Sequence, residues 1–166
     1  YAVLPQTTTE KLASFATSPT YRVIEKDRNA HIVQSVPTQT YSYVIFETPG
    51  KNFVEGPLQK TDTTCLVMIR PYGAKKLALT VTQPDLAFYR GPSDDVYKDG
   101  KRVERSIYGR PWIDNPSMEI PVTVTLLGKW NVTETDNIKL VEQTSQATTI
   151  RFICKDGLSY NTILNR

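Results

Sequence analysis

The sequence predicts an all-β protein, an antiparallel β-sandwich preceded by one short N-terminal helix. Three observations predict it. Short runs rich in Val, Ile, Thr and Tyr recur along most of the chain, with groups of Gly, Pro, Asn and Asp between them. Within several runs apolar and polar residues alternate with a period of two, as in a strand that buries one face. No strand-then-helix repetition is present, so an α/β enzyme core is not expected.

The chain opens with the extended apolar stub YAVLP. In the TTTEKLASFATSP that follows, Thr7 and Glu10 have the spacing of a capping box, and Leu12, Phe15 and Ala16 share one helical face. Ser18 and Pro19 end the pattern, because proline cannot continue the ladder of amide donors. The expected helix thus spans about three turns from Thr7 to Ser18.

Strands are expected at YRVIE (21–25), AHIVQSV (30–36), TYSYVIFE (40–47), TCLVMIR (64–70), KLALTVT (76–82), DLAFYR (85–90), KRVERSIY (101–108), EIPVTVTLLGKW (119–130), NIKLVE (137–142), TTIRFICK (148–155) and LSYNTIL (158–164). In KLALTVT, Leu77, Leu79 and Val81 face one way while Lys76, Ala78, Thr80 and Thr82 face the other. Ile120, Val122, Val124 and Leu126 likewise share a side, opposite Thr123 and Thr125. Strands with one buried face need a second sheet over it, which is why a sandwich is the simplest closure. Pro121 belongs near the start or edge of its strand, since it cannot donate to a ladder.

The 166 residues are enough for one domain with a core that needs neither disulfides nor a structural metal. With 39% apolar residues, 22% charged residues and a net charge of +3, the composition is that of an ordinary globular protein. It lacks the concentrated basicity that points to nucleic acid. No apolar run approaches the roughly 18 residues of a membrane span. The N-terminal segment does not have the pattern of a secretion signal, as an excised piece would not either. Asn131-Val132-Thr133 has the spacing of a glycosylation acceptor.

Motifs that carry chemistry are scarce. Cys65 and Cys154 fall in strand interiors, as buried free thiols or as a bridge between paired strands. The single histidine, His31, alternates with Ile32 and shares a side with Val33, so a half-buried strand residue is expected rather than a base. Asp94 and Asp95 stand at a loop edge, where a solvated corner is the simple reading. One histidine with two separated cysteines gives no metal-ligand spacing. Neither a nucleophile elbow, a phosphate-cradling loop nor a dinucleotide fingerprint occurs, and no cofactor is expected.

The stretch YKDGKRVERSIYGRPW, residues 97–112, holds five basic residues against two acids. Asp99-Gly100 is a favoured two-residue hairpin turn that pairs Lys98 with Lys101, Tyr97 with Arg102 and Val96 with Val103. Alternation then places Arg105 on the face opposite Arg102, so the positive groups are divided. Arginine binds carboxylates and sulfates through paired donors, while aromatic rings stack on sugars. Tyr97, Arg102, Arg105, Tyr108, Arg110 and Trp112 are therefore the candidate contacts, either to a glycan or to a neighbouring domain, with Trp112 as packing.

The ordered series YAVLP, the threonine-rich segment ending in SP, YRVIEKDRNAHIV, TYSYVIFE, CLVMI, LALTVTQPDLAFYRG, ERSIYGRPW and VTLLGKW resembles the C-terminal region of the hyaluronate, chondroitin and xanthan polysaccharide lyases, above all those of the chondroitin sulfate ABC type. The discriminating phrases are DRNAHIV (27–33), LTVTQPDL (79–86) and RSIYGRPW (105–112). The resemblance implies a large bacterial enzyme, secreted or periplasmic. An α/α toroid carries its catalytic residues, followed by a central β domain and a terminal sandwich. It also implies β-elimination at uronic acids of glycosaminoglycans, through removal of the proton α to the carboxylate.

On that likeness residues 1–20 are the end of the preceding β domain plus a connecting helix, and 21–166 are the terminal sandwich. The toroid and central β domain are then its partners, an acidic polysaccharide a further one. The catalytic toroid has no counterpart in these residues on that likeness, so no catalytic residue carries over, and His31 matches a phrase of the terminal domain. The expected role is bracing the catalytic and central domains. The alternative is a carbohydrate-binding module that uses Arg102, Arg105, Arg110 and the nearby aromatics.

Overall fold

A computed structural model describes residues 4–48, 52–85, 96–103 and 118–166. One helix, α1 (Thr9–Thr17), precedes β1 (Tyr21–Lys26), β2 (Ala30–Ser35), β3 (Thr40–Ile45), β4 (Leu58–Thr61), β5 (Cys65–Pro71), β6 (Lys76–Thr82), β7 (Val96–Lys98), β8 (Lys101–Val103), β9 (Ile120–Leu127), β10 (Ile138–Gln143), β11 (Ala147–Cys154) and β12 (Ser159–Asn165).

The helix is capped by Thr8 and not by Thr7. The Thr8 hydroxyl accepts from the Lys11 amide at 3.3 Å, while the Thr7 hydroxyl is turned to the Thr8 carbonyl. Three successive threonines offer the same oxygen, and the one that caps is set by which amides the first turn leaves free. Hydrogen bonds to its own backbone and to Thr8 hold the Glu10 carboxyl below its usual range. Ser18 closes the other end, its amide donating to the Ser14 carbonyl at 2.9 Å.

Two antiparallel sheets form the sandwich. The first has six strands in the order β1-β2-β3-β5-β6-β12, and the second has four in the order β10-β11-β9-β4. Their inner faces share one apolar core. Ile32, Tyr43, Ile69, Leu79, Val81 and Leu164 enter it from the first sheet, and Leu58, Val122, Val124, Leu126, Ile150 and Phe152 from the second. Strand alternation follows the pattern read from sequence, with Leu77, Leu79 and Val81 all inside. Among the outward positions of β9, Thr125 is nevertheless buried, where its hydroxyl lies 3.2 Å from that of Thr149.

Several boundaries differ from the expected ones for local reasons. Strand β4, LQKT, is too short and polar to announce itself. It pairs with β9 through Leu58↔Leu126 and Thr61↔Val124 across an irregularity. Strand β9 stops at Leu127 and does not reach Trp130, because Gly128 turns the chain at φ +85. Pro121 is the second residue of β9 and pairs with Ile153, below the point where β4 begins to pair, so its missing donor falls near the strand start. Of the expected 101–108 strand, Lys101–Val103 is β8 and the rest lies outside the described residues. The expected 85–90 strand also lies outside them, apart from Asp85, which is not in a strand.

Candidate functional site

The hairpin singled out by its charge has the expected register. Strands β7 and β8 pair Val96 with Val103, Tyr97 with Arg102 and Lys98 with Lys101. Asp99 and Gly100 both have positive φ, 53° and 73°, which matches the right-handed twist of the flanking strands. Glycine meets this requirement without steric penalty, and aspartate is among the residues that tolerate it. Tyr97 and Arg102 are thus brought opposite one another by the backbone. Arg105, Tyr108, Arg110 and Trp112 lie outside the described residues.

The chemically reactive groups are placed for packing. Cys65 and Cys154 are free, buried, and carried by different sheets. Burial pushes the Cys65 thiol up to about 12, against a smaller opposing effect of the Thr61 hydroxyl. Burial also raises Cys154. Both are therefore neutral at pH 7, and a neutral thiol is a poor nucleophile. His31 is half-buried and meets the Phe46 ring edge-on at 5.0 Å. Among the described residues no group of three or more His, Cys, Asp or Glu is arranged to hold a metal ion.

Two surfaces that sequence reasoning did not single out stand apart. The first is the outer face of the six-stranded sheet. Register puts Val33, Ser42, Met68, Thr80 and Asn161 in one row across it, with Val44, Leu66, Thr82 and Ser159 in the next. Leu66 is 38% exposed and Met68 50%. Val23 and Ile163 extend this exposed apolar surface toward the two edges of the sheet. Helix α1 adds no cover for the core either, since it contains no buried residue. The signal in sequence was the unbroken apolar run CLVMI, which alternation alone would have made half polar.

The second is an open recess of about 540 Å³ lined by Gly128, Lys129, Asn131, Ser145 and Arg166. Its walls are fixed by hydrogen bonds. The Gly128 amide donates to the Gln146 carbonyl at 2.6 Å, and the buried Thr148 hydroxyl donates to the Gly128 carbonyl while accepting from the Trp130 amide, both at 2.9 Å. Trp130 donates its indole N–H to the Leu127 carbonyl at 2.8 Å, and Gln143 donates to the Trp130 carbonyl at 2.7 Å. The Asn131 amide donates to the Asn165 carbonyl at 2.7 Å, and the Arg166 amide to the Lys75 carbonyl at 2.9 Å. Held in this way, the Arg166 guanidinium lies over the Trp130 ring, 4.2 Å from its centroid.

No protein-family model matches the chain. It is 56% identical, over its whole length, to a chondroitin sulfate ABC exolyase of Bacteroides thetaiotaomicron, and it covers 16% of that protein. A chondroitin sulfate ABC exolyase of Proteus vulgaris is 30% identical over 70% of the chain, which covers 12% of that protein. The chain therefore spans less than a fifth of the length of these curated relatives. Among solved structures, a Paenibacillus xanthan lyase superposes with a TM-score of 0.64 at 12% identity, over 98% of this chain and 13% of that one. The Streptomyces coelicolor chondroitin AC lyase superposes at 0.63 with 13% identity, over 98% of this chain and 17% of that one. These two likenesses are of fold.

Proposed function

Because the chain belongs to the family of hyaluronate, chondroitin and xanthan polysaccharide lyases, as its likeness to chondroitin sulfate ABC exolyases shows, we propose that it is the non-catalytic C-terminal β-sandwich of a multidomain bacterial lyase. In this reading residues 1–20 are the end of a preceding β domain with its connecting helix, and 21–166 are the sandwich. The parent enzyme is secreted or periplasmic and cleaves uronic-acid-containing glycosaminoglycans by β-elimination. The sandwich braces its catalytic and central β domains. Elimination needs a base at the proton α to the carboxylate and cationic or hydrogen-bonding groups on the carboxylate itself. Those groups belong, on this reading, to a part of the enzyme other than this chain.

The observation that carries bracing is the exposure of Val23, Leu66, Met68 and Ile163 on the outer face of the six-stranded sheet. Exposed apolar patches of this kind mark surfaces that another protein surface covers. The test is a parent enzyme from which residues 21–166 are deleted. A lower thermal midpoint with loss of activity is expected, whereas unchanged stability and unchanged activity would overturn bracing. In a companion measurement the 166-residue chain alone, incubated with chondroitin sulfate, is expected to form no unsaturated uronate product.

A second reading is a carbohydrate-binding module in which Arg102, Arg105 and Arg110 act with Tyr97, Tyr108 and Trp112. It is favoured by the register that sets Tyr97 across from Arg102. Titration of the isolated chain with chondroitin sulfate at several ionic strengths distinguishes the two. A saturable response abolished by Arg102→Glu supports the module, and none at any ionic strength removes it.

A further inference from the structure

We propose that the recess between Gly128, Lys129, Asn131, Ser145 and Arg166 is a binding site for an anionic group, a sulfate ester or carboxylate, carried on an acidic saccharide. None of its described lining residues belongs to the β7–β8 hairpin. Its chemistry is set by where its two cations stand. Among the described residues the one ion pair joins Arg22 to Glu55, so neither Lys129 nor Arg166 is neutralised by an acid there. Among the described residues, the side chains lining the recess are an ammonium, a guanidinium, an amide and a hydroxyl, with no acidic side chain.

The guanidinium is also preorganised. Its Cζ stands over the Trp130 ring, 4.2 Å from the centroid, and its N–H donors lie in the plane of the group, where an oxoanion accepts them in pairs. Trp130 is 4% exposed and its indole N–H is held by the Leu127 carbonyl, so the ring under Arg166 is fixed by packing and by a hydrogen bond. Gly128 makes the approach possible. A Cβ at that position would stand 2.8 Å from Arg166 Nη2, and the backbone φ of +85 disfavours any side chain. An arginine held in one orientation loses less freedom on binding than one free in solvent.

The same geometry selects against neutral sugars. A module that grips a pyranose ring offers an open aromatic face, and here that face is covered by Arg166. The recess therefore reads charge and offers no free aromatic face to a sugar ring. The volume of about 540 Å³ admits the anionic group of a larger chain together with part of the sugar that bears it. That the carrier is a glycosaminoglycan rests on the proposed parent enzyme, whereas the anion site itself does not.

The test is an NMR titration of the 166-residue chain. Its probes are a chondroitin sulfate tetrasaccharide, the desulfated tetrasaccharide, inorganic sulfate and neutral maltotetraose. The sulfated tetrasaccharide is expected to give saturable shifts centred on the amides of Gly128, Lys129, Asn131 and Ser145 and on the Trp130 indole N–H. The desulfated form is expected to bind the same site more weakly through its carboxylates, and maltotetraose not at all. Arg166→Gln and, separately, Lys129→Glu are each expected to weaken binding by about tenfold. Lys129 is exposed, so its exchange leaves the fold intact.

Shifts scattered over the basic surface, or saturable binding that both variants leave unchanged, would overturn the site. Inorganic sulfate binding as tightly as the tetrasaccharide would overturn the saccharide carrier. None of these readouts depends on bracing, so failure here leaves the deletion experiment to decide the parent role by itself.

Discussion

Strands β5 and β11 each run through the sandwich with one face in the same core, and they differ on the other face. In β5 the inward Val67 and Ile69 are buried, and outward the apolar Leu66 and Met68 precede the exposed Arg70. In β11 the inward Ile150 and Phe152 are buried, and outward stand Ala147, Thr149, Arg151 and Ile153, with Lys139 of β10 beside Arg151. Burial demands apolar residues on one face only of a sheet that meets water on the other. The centre of the outer face of β5 is therefore apolar and exposed, whereas the centre of the outer face of β11 is polar and charged. This asymmetry is what a terminal domain resting on a larger neighbour by one sheet would display.

The largest expected effect comes from the shared core, where the two sheets should behave alike. Phe152→Ala empties a fully buried ring position in β11 and is expected to lower unfolding free energy by about 3–5 kcal/mol in a denaturant titration. Ile69→Ala in β5 should fall at about 2–5 kcal/mol. A change below about 1 kcal/mol at either site would mean that its sheet is not packed on the common core.

The next effect is linked to pH through Cys65, the first residue of β5. Its thiol is raised by burial from an ordinary value of 9.0 to about 12. Below pH 9 it is protonated in both the folded and the unfolded chain and has no influence on the pH dependence. Between pH 9 and 12 the unfolded chain has lost this proton while the folded chain keeps it, so stability falls as pH rises. The loss attributable to Cys65 is about 2–3 kcal/mol by pH 11. Comparing the wild-type chain with Cys65→Val isolates it. The wild type should show the steeper decline from pH 9 to 11, and equal slopes would show that the thiol is hydrated.

How much of this was legible in the sequence depends on how local the cause was. The inner rows of β6 and β9 could be read from Leu77, Leu79, Val81 and Val122, Val124, Leu126, because period-two burial is written into adjacent residues. The Asp99-Gly100 register was legible for the same reason, since two residues determine a two-residue turn. Strand β4 was not legible. Its polar LQKT becomes a strand because β9 offers an unpaired edge, and that edge is a tertiary fact. The Thr8 cap was hidden by its identical neighbours. The recess was least legible of all. Residues 128–131, Ser145 and Arg166 meet through the β9–β11 register and the Asn131↔Asn165 bridge, neither of which any local pattern encodes. Only Gly128 directly before Lys129 and Trp130 hinted at a break in the strand.

The smallest expected effect on the chain itself is the one that bears most on the asymmetry between the sheets. Met68→Lys places a charge on the outer face of β5, at a position already half exposed between Ser42 and Thr80. In the isolated chain the new ammonium remains in water and its aliphatic stem lies along the sheet, so stability should change by no more than about 0.5 kcal/mol. In the parent enzyme the same charge would be buried against the covering domain, where an unpaired charge is strongly unfavourable. The thermal midpoint of the whole enzyme is then expected to fall while that of the isolated chain stays within error. Arg151→Glu on the charged face of the other sheet should move neither. Equal midpoints for the Met68→Lys and wild-type enzymes would show that Met68 faces water in the assembled protein. In that case the asymmetry between β5 and β11 would have to arise from something other than a covering domain.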